Sequence, residues 1–177
     1  YRELLADLAA SQAVADAQVP GLRRVIGGHS LGGQMSCCQL GLHPDSADAL
    51  WLVASGAPYW RVFGAPKRWG LLSAYRFMRW LAARNGFMPG RRIGFGGNEA
   101  RSVIADWART AISGHYAAPG VDVDLEAGMA RFGGDVRALT FDQDWLAPPE
   151  STAFLTGKLA NAQVTAGHFD AAMAGTV

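Results

Sequence analysis

Leu22-Arg23-Arg24-Val25-Ile26-Gly27-Gly28-His29-Ser30-Leu31-Gly32-Gly33 is the stretch on which the reading of this chain turns. The run Leu22 to Ile26 is short, ends in β-branched residues and reads as a strand. It meets a glycine pair and then Leu31 to Leu42, which is helix-compatible and closes at His43-Pro44. Strand, sharp turn and helix follow directly on one another, with the pattern Gly28-x-Ser30-x-Gly32 at the turn. A serine in such a turn occupies a strained backbone, so small residues two before and two after it avoid collisions, and Gly33 relieves crowding further. At the helix N-terminus the unpaired N–H groups and the helix dipole favour negative charge. Ser30 is therefore the candidate nucleophile, and the Leu31 N–H the candidate oxyanion donor. A phosphate-binding loop fits less well, because no Gly-Lys-Ser/Thr ending follows.

Outward from the turn the same alternation recurs. Residues 1–17 carry Leu4, Leu5, Leu8 and Ala9 at helical spacing, and Pro20-Gly21 stops that helix. Ala47 to Ser55 is nearly continuous apolar sequence, as in a parallel strand covered on both faces. Val136 to Phe141 and Ala162 to Ala166 are further candidate strands, with a helix from Pro149 to Leu159 between them. Strands alternating with helices predict an α/β architecture with right-handed crossovers. Residues 57–130 break the alternation and read as an inserted helical cap, with helices at Leu71–Ala83 and Ala100–Ile112. The core is then 1–56 and 131–177. Trp69, Leu72, Tyr75, Phe77 and Trp80 recur at helical spacing and read as cap packing. Residues 61–109 hold ten Lys or Arg against two acids, Glu99 and Asp106. That excess suits an anionic acyl group, an acidic surface or a solvated face.

A serine hydroxyl needs a base within reach and a third group to orient that base. In this architecture the acid follows a later strand and the histidine follows the last one. Phe141-Asp142-Gln143-Asp144-Trp145-Leu146-Ala147-Pro148 and Gly167-His168-Phe169 fill those positions. His168 is the candidate base. Asp144 is preferred over Asp142 as the acid, since apolar residues and a proline follow it where the loop turns toward the site. His29, the variable residue of the turn, packs behind the nucleophile. With Trp60 and Trp145 it makes up the candidate substrate contacts. His43 and His115 read as structural and surface residues. No metal-ligand spacing occurs, and neither a metal nor an organic cofactor is expected.

The turn Gly28-His29-Ser30-Leu31-Gly32-Gly33, the segment Asp144 to Pro148 and Gly167-His168-Phe169 together resemble the α/β-hydrolase superfamily. The cap stretches Asn85 to Gly90, Ile93 to Gly96 and Asp106 to Arg109 further resemble a bacterial group of predicted α/β-hydrolases near the serine aminopeptidase-like branch. The resemblance implies a mostly parallel sheet flanked by helices, with Ser30, His168 and Asp144 as the triad. It also implies several strands ahead of the turn, one of whose loops gives a second oxyanion N–H. This sequence has no counterpart to them, and an N-terminally truncated protein is expected.

The expected function is a serine hydrolase that cleaves an ester, thioester or amide through an acyl-enzyme. The alternative is a non-catalytic binding or regulatory protein on the same fold. With 177 residues, 50% of them hydrophobic, 18% charged and a formal charge of +1, the chain is neither disordered nor globally basic. A small-molecule acyl substrate, which the basic cap allows to be anionic, is expected as partner, and no nucleic acid. No apolar run reaches the roughly 20 residues of a membrane-spanning helix. Cys37 and Cys38 are adjacent, too close in sequence for an ordinary disulfide, which suits a reduced, cytoplasmic setting. The oligomeric state is not legible.

Overall fold

A computed structural model describes residues 1–170, 172 and 173. Along the chain run α1 (Arg2–Gln18), β1 (Val25–His29), α2 (Leu31–Leu42), β2 (Ala49–Val53) and a short 3-10 turn at Trp60–Val62. Then follow α3 (Lys67–Asn85), β3 (Phe87–Pro89), α4 (Gly90–Ile93), β4 (Asn98–Ala100), α5 (Arg101–Ser113) and α6 (Leu125–Arg131). The last elements are β5 (Asp135–Phe141), α7 (Pro149–Thr156) and β6 (Gln163–Phe169).

Four strands form one sheet in the order β1-β2-β5-β6, and each neighbouring pair is parallel. Gly28 lies opposite Leu52, Leu52 opposite Ala138, and Ala138 opposite Ala166. Because all four strands run the same way, their C-terminal ends share one edge, where α/β sheets place ligands. Leu50, Leu52, Val136 and Ala138 are buried, together with Met35, Leu40 and the two cysteines of α2. From Gly33 to Gly41 every residue of α2 is buried, since α1, α6, β1 and β2 all pack on it. The α2–α6 crossing is close because two glycines meet there: a Cβ on Gly128 would stand 1.8 Å from the Gly41 carbonyl oxygen.

Three strands differ from the sequence expectation, two in where they begin or end and one in how it is covered. β1 starts at Val25, not Leu22, because its ladder begins where Val25 meets Ala49, and Leu22 is left exposed. β2 is not covered on both faces, since Trp51 stands half exposed on the open one. β6 runs on to Phe169 because each added residue finds a partner on β5, up to Phe141 opposite Phe169. His168 is therefore a strand residue and not part of a loop after the strand.

The segment 57–130 divides in its packing. α3, α5 and the antiparallel β3–β4 pair enclose two small clusters, one of Met78, Ala82, Met88 and Ile104, the other of Tyr75, Ala108 and Ala111. Trp107 touches both and also the main core. Leu125 and Met129 of α6 belong to the main core. Of the cap aromatics read as packing, Tyr75 is buried but Trp69, Phe77 and Trp80 are exposed, because they lie on the outer face of α3.

Candidate active site

Ser30 stands between the last residue of β1 and the first of α2 with φ 53° and ψ −121°. A side-chain-bearing residue in such a conformation costs about 1–3 kcal/mol and persists only where its surroundings hold it. Here the end of β2 does so. The Ser30 N–H donates to the Val53 carbonyl at 3.1 Å, and the fully buried Ser55 hydroxyl donates to the Ser30 carbonyl at 2.7 Å. Gly33 makes room for Ser55, since a Cβ on it would stand 2.4 Å from Ser55 Oγ. Among the described residues the Leu31 N–H has no backbone acceptor, as expected for the first residue of a helix.

The two glycines of the turn are not equivalent. A Cβ on Gly28 would meet the Gly32 carbonyl carbon at 2.6 Å and the Gly33 nitrogen at 2.9 Å. A Cβ on Gly32 would meet nothing within 4 Å. The steric demand that the motif places on both positions falls on Gly28 alone.

At the other end of the sheet edge, His168 Nε2 lies 3.0 Å from Asp142 Oδ1, and its Nδ1 lies 2.9 Å from Thr140 Oγ1. The carboxylate on His168 is thus that of Asp142. Asp144 turns its Oδ1 to the Leu146 and Ala147 amides, at 2.9 and 3.1 Å, and so fastens its own loop. Ser30 is not a hydrogen-bond partner of His168. The sheet order separates β1 from β6 by three inter-strand steps, about 14 Å at ~4.8 Å each.

Beside Ser30 lies a cavity of about 270 Å³. Gln34 lines its core side, Leu71, Tyr75 and Met78 of α3 and Trp107 of α5 line its cap side, and Trp145 to Ala147 close it. Among the described residues no charged side chain lines it. Larger cavities on the molecule lie away from the turn, one of about 440 Å³ between α1 and β1. Of the expected contacts, Trp145 lines the site cavity. His29 does not, and neither does Trp60, whose ring packs on Trp69 at 5.0 Å while its indole N–H donates to the Ile112 carbonyl. Gln34, Tyr75 and Trp107 were missed by the sequence reading. Only Gln34 carried a local signal, four residues after Ser30 on one helix face. Among the described residues its buried Oε1 has no hydrogen-bond donor. Among the described residues no three His, Cys, Asp or Glu side chains lie close enough to hold a metal ion.

The backbone superposes on that of a thermostable carboxyl esterase from Bacillus coagulans with a TM-score of 0.58, over 94% of this chain and 62% of that one, at 12% identity. The chain has the α/β-hydrolase fold. Est1E from Butyrivibrio proteoclasticus matches with a TM-score of 0.55 at 16% identity, covering 94% of this chain and 59% of that one. A monoacylglycerol lipase from Paleococcus ferrophilus gives 0.53 at 12% identity, over 91% and 64%. This chain spans less than two thirds of the length of these α/β-hydrolase structures. No family model matches the sequence, and no curated protein matches it. Within the fold, Ser30, the Asp142–Asp144 loop and His168 all stand at the C-terminal edge of the sheet. No helix among the described residues is long and apolar enough to cross a membrane.

Proposed function

We propose that this protein is a serine hydrolase acting on an ester, thioester or amide. The observation that carries the reading is the strained Ser30, held at the head of α2 beside an unpaired Leu31 N–H and an apolar cavity. Ser30 Oγ attacks the acyl carbon as its proton passes to His168, and the Leu31 N–H donates to the developing oxyanion. The bond to the leaving group breaks as His168 returns the proton to it. Water then releases the acyl group by the reverse sequence and restores the serine. The esterases and the lipase of the same fold support an acyl substrate, and the uncharged cavity suits an apolar acyl chain.

This chemistry requires the end of β6 to move so that one His168 ring nitrogen is freed to reach Ser30 while a carboxylate holds the other. For the orienting acid, the sequence favours Asp144 and the hydrogen bond favours Asp142. The engagement of both ring nitrogens away from Ser30 is also the observation in favour of the second reading, a non-catalytic binding protein on this fold. Labelling with a serine-directed fluorophosphonate, read by peptide mass spectrometry, separates the two. The expected result is adduct on Ser30, lost in Ser30→Ala and sharply reduced in His168→Ala. A folded protein that takes no label overturns the hydrolase reading.

A further inference from the structure

The mouth of the site cavity is framed by large apolar side chains that face solvent. Phe77 is 52% exposed and Trp145 56% exposed, Ile93 and Leu146 are each about half exposed, and all four line the cavity. Trp80, 57% exposed, extends the patch by packing on Phe77 with ring centroids 5.8 Å apart. Monomeric proteins rarely leave apolar side chains clustered in this way without a partner.

Cations border the same patch. Arg76 lies one helical turn before Trp80 on α3, and Arg91 and Arg92 precede Ile93 on α4, all exposed. The Lys67 ammonium lies 4.9 Å from the Trp145 ring and donates to the Trp145 carbonyl at 2.8 Å. Among the described residues none of these four is in an ion pair. Acidic groups nearby are occupied: Asp106 is buried against Arg109, Glu99 accepts from the Gly97 amide, and Asp144 accepts from the Leu146 and Ala147 amides.

We propose that this outer face of the cap is a docking surface for an anionic lipid bilayer. Tryptophan and phenylalanine settle at the headgroup level, and Arg and Lys gain from anionic headgroups beside them. Ile93 and Leu146 suit acyl chains and offer no stacking plane to a nucleobase, which argues for lipid over nucleic acid. Docking in this pose turns the cavity mouth toward the acyl region. It does not depend on the reactivity of Ser30.

Co-sedimentation of the chain with phosphatidylcholine vesicles, with and without about a third of phosphatidylglycerol, tests the surface. Binding at least ten-fold tighter to the anionic vesicles is expected, weakening as salt is raised. Each cation near a charged surface accounts for about five-fold in affinity, so Arg76→Glu with Arg92→Glu should weaken binding at least twenty-fold. Brominated acyl chains should quench tryptophan emission, less so in a Trp80→Phe, Trp145→Phe variant. These sites are exposed, and an unchanged Tm certifies each variant as folded. Equal binding to both vesicle types, indifference to the Arg reversals, or tighter binding to single-stranded DNA than to anionic vesicles overturns the proposal.

Discussion

Replacing Gly28 and Gly32 singly by alanine should give opposite results, although one motif prescribes both. At Gly28 the new methyl would stand 2.6 Å from the Gly32 carbonyl carbon, with two more backbone atoms at 2.9 Å. That is about 1 Å inside the ordinary 3.5–4.0 Å separation. Every atom it meets is backbone in the first turn of α2, so no side chain can swing aside. Relief has to come from moving the head of α2, which carries Ser30 and the Leu31 N–H. Overpacking of this kind costs about 1–3 kcal/mol, and a displacement near 1 Å at a reacting group costs about 10²-fold in rate. At Gly32 the methyl meets nothing, and a helical Gly→Ala exchange gains up to about 1 kcal/mol. The assay is the rate of fluorophosphonate labelling of Ser30 alongside the thermal midpoint. Gly28→Ala should label about 10²-fold more slowly and melt lower, whereas Gly32→Ala should label near the parent rate with an equal or higher midpoint. A silent Gly28→Ala, or a Gly32→Ala as damaging as Gly28→Ala, would refute the steric argument.

The acid is tested by Asp142→Asn and Asp144→Asn. If the hydrogen bond to His168 marks the acid, Asp142→Asn lowers labelling by 10² or more at unchanged stability, since that exposed pair contributes under about 1 kcal/mol; a loss confined to Asp144→Asn assigns the role to Asp144. Gln34→Leu removes a buried acceptor that has no donor, so the thermal midpoint should rise by roughly 2–4 °C for about 1 kcal/mol regained, and a fall would mean that the amide is satisfied after all. Burial pushes the Cys37 thiol from 9.0 up to about 12 and raises that of Cys38 as well. Both should resist Ellman's reagent at pH 8 until the protein is unfolded. Because the folded-state value is the higher one, Cys37 stability is intact below about pH 9 and declines as pH rises toward about 12, by up to ~1.4 kcal/mol per pH unit; urea midpoints that stay flat across that window would contradict its burial. Amide hydrogen exchange should be faster at Gly167 to Phe169 than at Val136 to Ala138, because β6 has one neighbouring strand and β5 has two; equal protection would count against an edge strand.

What the sequence disclosed was what is local. The ends of α2 at Leu31 and Leu42 are readable because the glycine turn and His43-Pro44 stop it on either side. The parallel strand β2 stands out as an apolar run, whereas β5 alternates, burying Val136, Ala138 and Thr140. What depends on distant pairing was not readable. The start of β1 is set by Ala49, the end of β6 by Phe141, and the cavity wall by α3 and α5 closing over Ser30. Trp60 and Trp145 look alike in sequence, yet only Trp145 reaches the cavity, because Trp60 is held by Trp69 and the Ile112 carbonyl.

The largest difference between sequence and structure is also small in energy. His168 was expected in a loop and lies in an edge strand, held there by the Thr140 and Asp142 contacts and by the last few bonds of the β5–β6 ladder. Each backbone bond is worth about 0.5–1.5 kcal/mol net, and the half-exposed contact between His168 and Asp142 less than about 1 kcal/mol. Freeing Gly167 to Phe169 from β5 therefore costs only a few kcal/mol and leaves the core strands untouched. A histidine that must move toward Ser30 is thus in the part of the sheet where such a movement costs least. The strained Ser30, by contrast, is clamped by Val53 and buried Ser55 and has nowhere to go. The nucleophile is fixed and the base is the adjustable partner, so loss of reactivity should come more readily from changes at the end of β6 than from equal changes around β2.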